Sequence, residues 1–316
     1  MPEKKKAGPM TSREIVGYIL SSSPDFAKEL AQSDYTTAIL CFIVPGSSGE
    51  LELSSELSGL LGTKDQYGVV SSLKSAGKRV LVSLGGETFS TQGWADCANN
   101  LDQTVNSIKQ IVTDNGFDGV DIDWEDTNYT GYDPITFLTD LSSSLKSQLP
   151  NNQNFITHAP QCPYFYGGTG YLQVYVDVAQ NAGNNIDLYN IQYYNNDWYV
   201  GDTAQDETGK VAGTELVSGS TFPSSIVGIV AQGVPVEKLL VGKPTTTDNA
   251  GSGYLNTQDI ITYLINPLIS KYDDDFAGVM GWQYDTQYGA STNTDDWASA
   301  LASAMSTSTA GSQAAE

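Results

Sequence analysis

Eight short apolar segments recur along the chain at intervals of about 35 to 40 residues, and segments with helical apolar spacing lie between them. This alternation indicates parallel strands, because each strand–helix unit returns the chain to the same end of a sheet. The predicted strands cover residues 14–20, 36–45, 78–86, 118–124, 154–160, 186–195, 238–244 and 276–282.

Eight such units in a chain of 316 residues predict a single (β/α)8 TIM barrel. A doubly wound open sheet is the alternative, but no glycine-rich phosphate loop follows the first strand. We expect the barrel to span residues 13–303, between a flexible N-terminal segment (1–12) and a flexible C-terminal tail (304–316). The connection between strands seven and eight is too short for an inserted domain.

Composition excludes several classes of partner. The net charge of −22 argues against nucleic acid and anionic membrane surfaces, which attract Lys and Arg. No apolar run approaches the roughly 20 residues that span a bilayer. The three cysteines do not form a disulfide framework, and no Cys/His spacing suggests zinc.

The fourth predicted strand carries the most unusual pattern, the sequence F-D-G-V-D-I-D-W-E over residues 117–125. Alternation along a strand puts Asp121, Asp123 and Glu125 on one face and the apolar residues on the other. Carboxyl groups crowded in an interior cannot all ionise, because repulsion and desolvation raise their pKa values. The motif therefore predicts a group that holds a proton near neutral pH and delivers it.

Two other interpretations of this motif stay open. An edge strand could display a solvated acidic face, although the preceding helical segment favours an interior strand. Asp and Glu are also hard oxygen ligands for a metal ion. Trp124, between the acids, suits a packed outer face rather than a hydrated ion, and we expect no metal and no cofactor.

Active sites of such barrels lie at the carboxyl ends of the strands. The residues predicted at that rim offer aromatic faces together with amide and hydroxyl groups. They are Tyr18, Phe42, Ser83, Gly86, Gln161, Gln192, Tyr194, Asn195 and Trp282. Aromatic floors with hydrogen-bonding rims suit sugars, whose ring faces are apolar and whose edges carry hydroxyl groups.

The motif D-G-V-D-I-D-W-E resembles the D-x-x-D-x-D-x-E signature of family 18 glycoside hydrolases, the chitinases and their relatives. S-L-G-G at 83–86 looks like the S-x-G-G of that family's third strand. Residues 159–163 (A-P-Q-C-P) and 192–196 (Q-Y-Y-N-N) are similar to segments of its plant class III and fungal branch, and Trp282 also matches. The resemblance covers nearly all of residues 14–300.

The resemblance implies retaining hydrolysis in which the substrate's own acetamido group attacks the anomeric carbon. Glu125 would act first as the general acid and then as the general base. Asp123 would bind the N-acetyl group, and Asp121 would share a proton with Asp123. Tyr194 would hold the acetamido oxygen, and Trp282 would form the floor under the sugar at the cleavage site. Further substrate contacts are expected from Gln192, Asn195, Tyr18, Phe42, Gln161 and Gly86.

Three functions are compatible with this resemblance. The first is an endo-acting chitinase that cleaves β-1,4 linkages between N-acetylglucosamine units, which Trp124 beside the acids favours. The second is an endo-β-N-acetylglucosaminidase acting on N-glycans. The third is an inactive lectin or inhibitor on the same barrel. The resemblance also implies a secreted protein that binds chitin or its oligosaccharides. No apolar segment follows Lys4–Lys6 as in a signal peptide, so a cytoplasmic location stays open as the alternative. We expect a monomer.

Overall fold

All eight predicted strands form, and they close into a parallel barrel. The computed structural model describes residues 13–46, 49–196, 203–214, 222–284 and 294–306. The strands are β1 (Glu14–Ile19), β2 (Thr37–Pro45), β3 (Leu51–Leu53), β4 (Arg79–Gly85), β5 (Gly119–Asp123), β6 (Phe155–His158), β7 (Leu188–Gln192), β8 (Leu239–Pro244) and β9 (Gly278–Tyr284). Strand β1 pairs with both β9 and β2, which closes the sheet. Strand β3 was not predicted; it pairs antiparallel with the end of β2, outside the barrel.

Helices follow most of the barrel strands and pack around them. They are α1 (Ala27–Gln32), α2 (Ser55–Leu61), α3 (Val69–Ser75), α4 (Thr91–Asn99), α5 (Leu101–Asn115), α6 (Pro134–Gln148), α7 (Tyr171–Ala182), α8 (Ile226–Ala231), α9 (Thr257–Asp259), α10 (Asn266–Tyr272) and α11 (Thr294–Ser306). The connection from β8 to β9 contains only short helical segments. None of the described helices is long and apolar enough to cross a membrane.

The helix before the acidic strand shows how sequence positions the motif. Its apolar residues Val105, Ile108 and Val112 recur at helical spacing and are all buried. The helix ends at Gly116, whose φ of 74° is a left-handed conformation that glycine adopts without a steric penalty. The chain then turns directly into β5, so the acids enter the barrel in a fixed register.

Two apolar layers pack against the barrel strands, one on the outer face of the sheet and one on its inner face. The larger layer lies between the strands and the helices and includes Val120, Ile122 and Trp124. A smaller layer, which includes Leu81, Leu240 and Met280, fills the barrel interior. Alternation along β5 therefore directs the apolar residues outward, and the acids share the interior face.

The predicted flexible ends lie largely outside the described residues. Residues 1–12 and 307–316 are not described, while α11 continues to Ser306. The division into a barrel with flexible ends therefore stays a prediction.

The end of β4 requires glycine, which gives a test of stability. Gly85 has a φ of +115°, and a Cβ atom there would lie 2.3 Å from the Asp123 carbonyl oxygen and 2.7 Å from the Trp94 ring. We expect Gly85→Ala to lower the free energy of unfolding by about 2 to 5 kcal/mol, from conformational strain and overpacking together. Urea denaturation measures this loss.

Gly77→Ala is the matched control. Gly77 also has a positive φ, +83°, but a Cβ atom there would meet nothing within 4 Å. Its substitution should cost only the backbone strain, about 1 to 2 kcal/mol. Equal losses in the two variants would contradict a close approach at Gly85.

Candidate active site

Strand β5 carries two of the three acids into the barrel. Asp121 lies beside Ser83 of β4 and Thr157 of β6, and Asp123 lies beside Gly85. The strand ends at Asp123, one residue earlier than predicted. Glu125 therefore lies two residues beyond the strand, at the carboxyl end of the barrel where such folds build their active sites.

Asp121 forms the deepest part of the site and is completely buried. Its two carboxylate oxygens accept hydrogen bonds from four side chains, Tyr18 (2.9 Å), Ser83 (2.8 Å), Thr157 (2.6 Å) and Asn190 (3.4 Å). Burial raises the pKa of Asp121 to about 6, and the four donors oppose that rise. Its acceptor capacity is therefore used largely by the protein itself.

Asp123 and Glu125 form a coupled pair above Asp121. Gln192 donates from Nε2 to Asp123 Oδ1 at 3.0 Å, and Gln161 donates from Nε2 to Glu125 Oε2 at 2.6 Å. Burial raises the pKa of both carboxyl groups, and the charge of Glu125 raises the pKa of Asp123 further. Such a pair retains a proton at a pH where isolated carboxyl groups are ionised.

A cavity of about 580 Å³ opens over this pair. Its lining combines carboxyl groups, amide groups and aromatic rings. The lining residues are Leu20, Phe42, Val44, Ser54, Glu56, Glu87, Thr88, Asp123, Glu125, Gln161, Gln192, Tyr194, Asn195 and Trp282. Aromatic surface beside hydrogen-bonding groups is suited to a pyranose ring. Among the described residues, no group of three or more His, Cys, Asp or Glu side chains could hold a metal ion.

Five of the predicted substrate contacts line this cavity: Phe42, Gln161, Gln192, Asn195 and Trp282. Tyr194, predicted to hold the acetamido oxygen, lines it as well.

Two predicted contacts lie beneath the lining instead. Tyr18 is only 1% exposed, and its hydroxyl donates to Asp121 while its ring packs 5.7 Å from that of Trp282. Gly86 has a φ of +88°, and a Cβ atom there would lie 3.0 Å from the Phe42 ring. The structure therefore gives Tyr18 a supporting position under the acids and Gly86 a close backbone approach to Phe42.

Comparison with known proteins identifies the family of this site. The model of a family described as Glycosyl hydrolases family 18 matches residues 14–304. The chain belongs to glycoside hydrolase family 18. A solved GH18 chitinase from Pseudoalteromonas aurantia is similar to it, with a TM-score of 0.73 and 28% identity, over 92% of this chain and 99% of that one.

Relatives of known name share part of their length with this family 18 chain. Chitinase ChiA of Flavobacterium johnsoniae is 30% identical over 213 residues, which are 59% of this chain and 13% of that protein. Endochitinase 4 of Metarhizium robertsii is 29% identical over 230 residues, which are 66% of this chain and 61% of that protein. The chain thus matches less than two thirds of the length of either relative.

Several residues of this family 18 site were not predicted from the sequence. Asn190 precedes Gln192 by two positions on β7, so alternation alone predicts that both point inward. Alternation along β6 likewise predicts that Thr157 points inward. Glu87 directly follows the glycine pair at the rim, and this position was a usable signal. Glu56 lies on α2, and no sequence pattern connects it to the site.

Glu87 is expected to tune the acid of the family 18 site. Burial is the main cause of the raised pKa of Glu125, and the negative charge of Glu87 adds to it. Replacing Glu87 with Gln should therefore lower the pKa of Glu125. A general acid must be protonated, so the alkaline limb of the kcat/KM profile should move to lower pH.

The same substitution at Glu56 is the control for Glu87→Gln. Glu56 lines the same cavity but is not among the causes of the shifted pKa of Glu125. Its replacement should leave the alkaline limb in place. A limb that stays fixed in Glu87→Gln, or that moves equally in both variants, would argue against this coupling.

Proposed function

We propose that the chain is an endo-acting chitinase, which hydrolyses β-1,4 linkages between N-acetylglucosamine units with retention of anomeric configuration. The observation that carries this proposal is the Asp123–Glu125 pair, buried at one side of a sugar-sized cavity with aromatic walls. The two carboxyl groups come from the same strand end, and the charge of Glu125 raises the pKa of Asp123. A retaining enzyme with a carboxylate nucleophile instead separates its two carboxyl groups by roughly 5 Å, across the scissile bond.

In the first step, Glu125 donates its proton to the glycosidic oxygen, and the bond from that oxygen to the anomeric carbon breaks. The carbonyl oxygen of the substrate's acetamido group forms the new bond to the anomeric carbon and closes an oxazolinium ring. Asp123 accepts a hydrogen bond from the acetamido nitrogen, and Tyr194 donates one to the acetamido oxygen. Both contacts strengthen as charge develops in the ring.

In the second step, ionised Glu125 takes a proton from a water molecule, whose oxygen attacks the anomeric carbon. The ring opens, and the acetamido group is restored. Because two inversions occur at the same carbon, the product keeps the β configuration of the substrate.

The hydrogen bonds refine the expected route of the proton. The oxygens of Asp121 are engaged by four protein donors, whereas Asp123 accepts from Gln192 and has its pKa raised by the charge of Glu125. This arrangement favours a proton shared between Asp123 and Glu125, rather than between Asp121 and Asp123. Asp121 then acts as a buried negative charge that keeps the pKa of Asp123 raised.

Endo-action is supported by the short connection between β8 and β9, which lies beside the cleft in the sequence order of the barrel. The β8–β9 connection contributes only short helical segments, so no additional domain is inserted there to form a wall along the cleft. An open cleft can bind the middle of a polysaccharide chain. We further infer a monomer that acts on neutral glycans outside the cell, and size-exclusion chromatography tests the first part of that inference.

The discriminating experiment compares two substrates. The chain is incubated with an N-acetylglucosamine hexamer and with a high-mannose glycoprotein, and the anomers of the products are resolved. Internal cleavage of the hexamer to β-anomers is the expected result. Cleavage of the glycoprotein alone would favour the N-glycan enzyme, and binding without cleavage of either would favour a lectin. Products of α configuration would exclude a retaining mechanism.

A further inference from the structure

A buried ion pair lies beside the active site and has no part in the chemistry above. Lys243 is completely buried near the carboxyl end of β8, and Glu207 is 1% exposed in the segment that follows β7. The Lys243 ammonium group contacts the Glu207 carboxylate. Burial lowers the pKa of Lys243 and raises that of Glu207, while each partner opposes the shift of the other. Removing such charges from water is costly, and well-packed apolar side chains are often at least as stable.

The ammonium group of Lys243 also joins two separate pieces of backbone. It donates to the carbonyl oxygen of Tyr193 and to that of Gly253, each at 3.0 Å. With Glu207, these acceptors can use all three N–H donors of the ammonium group. Tyr193 directly follows the last residue of β7, and Gly253 lies in the loop after β8. The lysine therefore fixes the position of one strand end relative to the neighbouring loop.

The two pieces of backbone meet at the residues that face the substrate. The backbone N–H of Asn195 donates to the Ser252 carbonyl oxygen at 3.2 Å, and the N–H of Gly251 donates to Asn195 Oδ1 at 2.7 Å. A Cβ atom on Gly253 would lie 2.6 Å from the Tyr194 Cα, so the loop packs directly against the backbone of that tyrosine. A shift of this loop would therefore move both Tyr194 and Asn195.

We propose that Lys243 and Glu207 form a positioning pair, which holds the backbone of Tyr193 and Gly253 so that Tyr194 meets the acetamido group of the substrate. The role given to Tyr194 rests on the proposed function. An apolar pair could fill the same volume but could not donate to two carbonyl oxygens at once. The geometry therefore accounts for the retention of a charged pair in a buried position.

The test separates positioning from stability. The double variant Lys243→Met/Glu207→Leu removes both charges, so neither charged partner is left buried and unpaired. The carbonyl oxygens of Tyr193 and Gly253 lose their donor, so a moderate loss of stability is expected, and the unfolding temperature is measured to compare it with the control variant. Glu207→Gln is the second variant; it leaves the volume unchanged but weakens the contact with Lys243. Hydrogen exchange of the Asn195 and Gly251 amides, kcat, and inhibition by a sugar thiazoline that mimics the oxazolinium ring are then measured.

Lys238→Met supplies a matched control at the opposite end of β8. Lys238 also bridges two carbonyl oxygens, those of Gly183 and Ile186, each at 2.6 Å, but they lie at the amino end of the barrel. Its loss should lower stability without changing thiazoline inhibition. In the double variant we expect amide exchange about tenfold faster. Its kcat should fall about 10- to 100-fold, and thiazoline inhibition should weaken by a similar factor.

Wild-type exchange and wild-type inhibition in the double variant would overturn the positioning role, as would equal kinetic losses in Lys238→Met. If the double variant does not fold, Glu207→Gln gives the same two readouts. The exchange measurement does not depend on activity. A wild-type protein that cleaves no N-acetylglucosamine oligomer would therefore refute the proposed function, while faster exchange in the variant would still show that the pair holds the loop.

Discussion

Replacing Glu125 with Gln is expected to lower kcat on an N-acetylglucosamine hexamer by about 10³- to 10⁴-fold. The amide is close to the carboxyl group in size, but it can neither deliver a proton to the leaving oxygen nor take one from water. Gln161, which donates to Glu125 at 2.6 Å, can still donate to the amide oxygen, so the cavity should keep its shape. Oligosaccharide affinity, measured by calorimetry, should therefore change little.

Two comparisons sharpen this experiment. Glu87→Gln makes the same chemical change in the same cavity and should retain kcat within about tenfold, because Glu87 acts only through its charge. Substrates with a more acidic leaving group need less protonation, so the loss in Glu125→Gln should be smaller for an aryl glycoside. A variant with near-wild-type kcat on the hexamer would remove Glu125 as the general acid.

The fold could be predicted from the sequence because its determining features are local. Each barrel strand is a short apolar segment, and the helix between Leu101 and Asn115 is visible from its apolar spacing. Strand β3 was missed because it has only three residues, all of them exposed or partly exposed, and its pairing with β2 is decided by tertiary contact. Very short segments carry too few positions to reveal a period.

The site was predicted only in part, for a related reason. Alternation along β5 indicates which acids share a face, and strand ends indicate which residues share a rim. The partners of Asp121 come from four other strands, and no local pattern specifies which side chains meet there. Lys243 is visible as a charge in an apolar strand, but its contact with Glu207 depends on the path of the segment after β7.

Replacing Asp123 is expected to cause the second large loss of activity. Asp123→Asn should lower kcat by about 10²- to 10³-fold, because the amide cannot accept the hydrogen bond from the acetamido nitrogen while the oxazolinium ring forms. Gln192 donates to Asp123 Oδ1 at 3.0 Å and can donate equally to the amide oxygen of Asn, so the fold should be preserved. The unfolding temperature and kcat on the hexamer are measured together.

Thiazoline inhibition distinguishes this loss from that in Glu125→Gln. The thiazoline mimics the closed ring, which Asp123 contacts and Glu125 need not contact. Asp123→Asn should therefore weaken inhibition by about tenfold or more, whereas Glu125→Gln should leave it nearly unchanged. The opposite result, with inhibition weakened in Glu125→Gln and unchanged in Asp123→Asn, would assign ring stabilisation to Glu125. Equal inhibition of both variants and the wild type would mean that Asp123 does not hold the ring. A wild type that the thiazoline does not inhibit would argue against the acetamido group as the nucleophile, because a site built to stabilise the ring should bind its mimic.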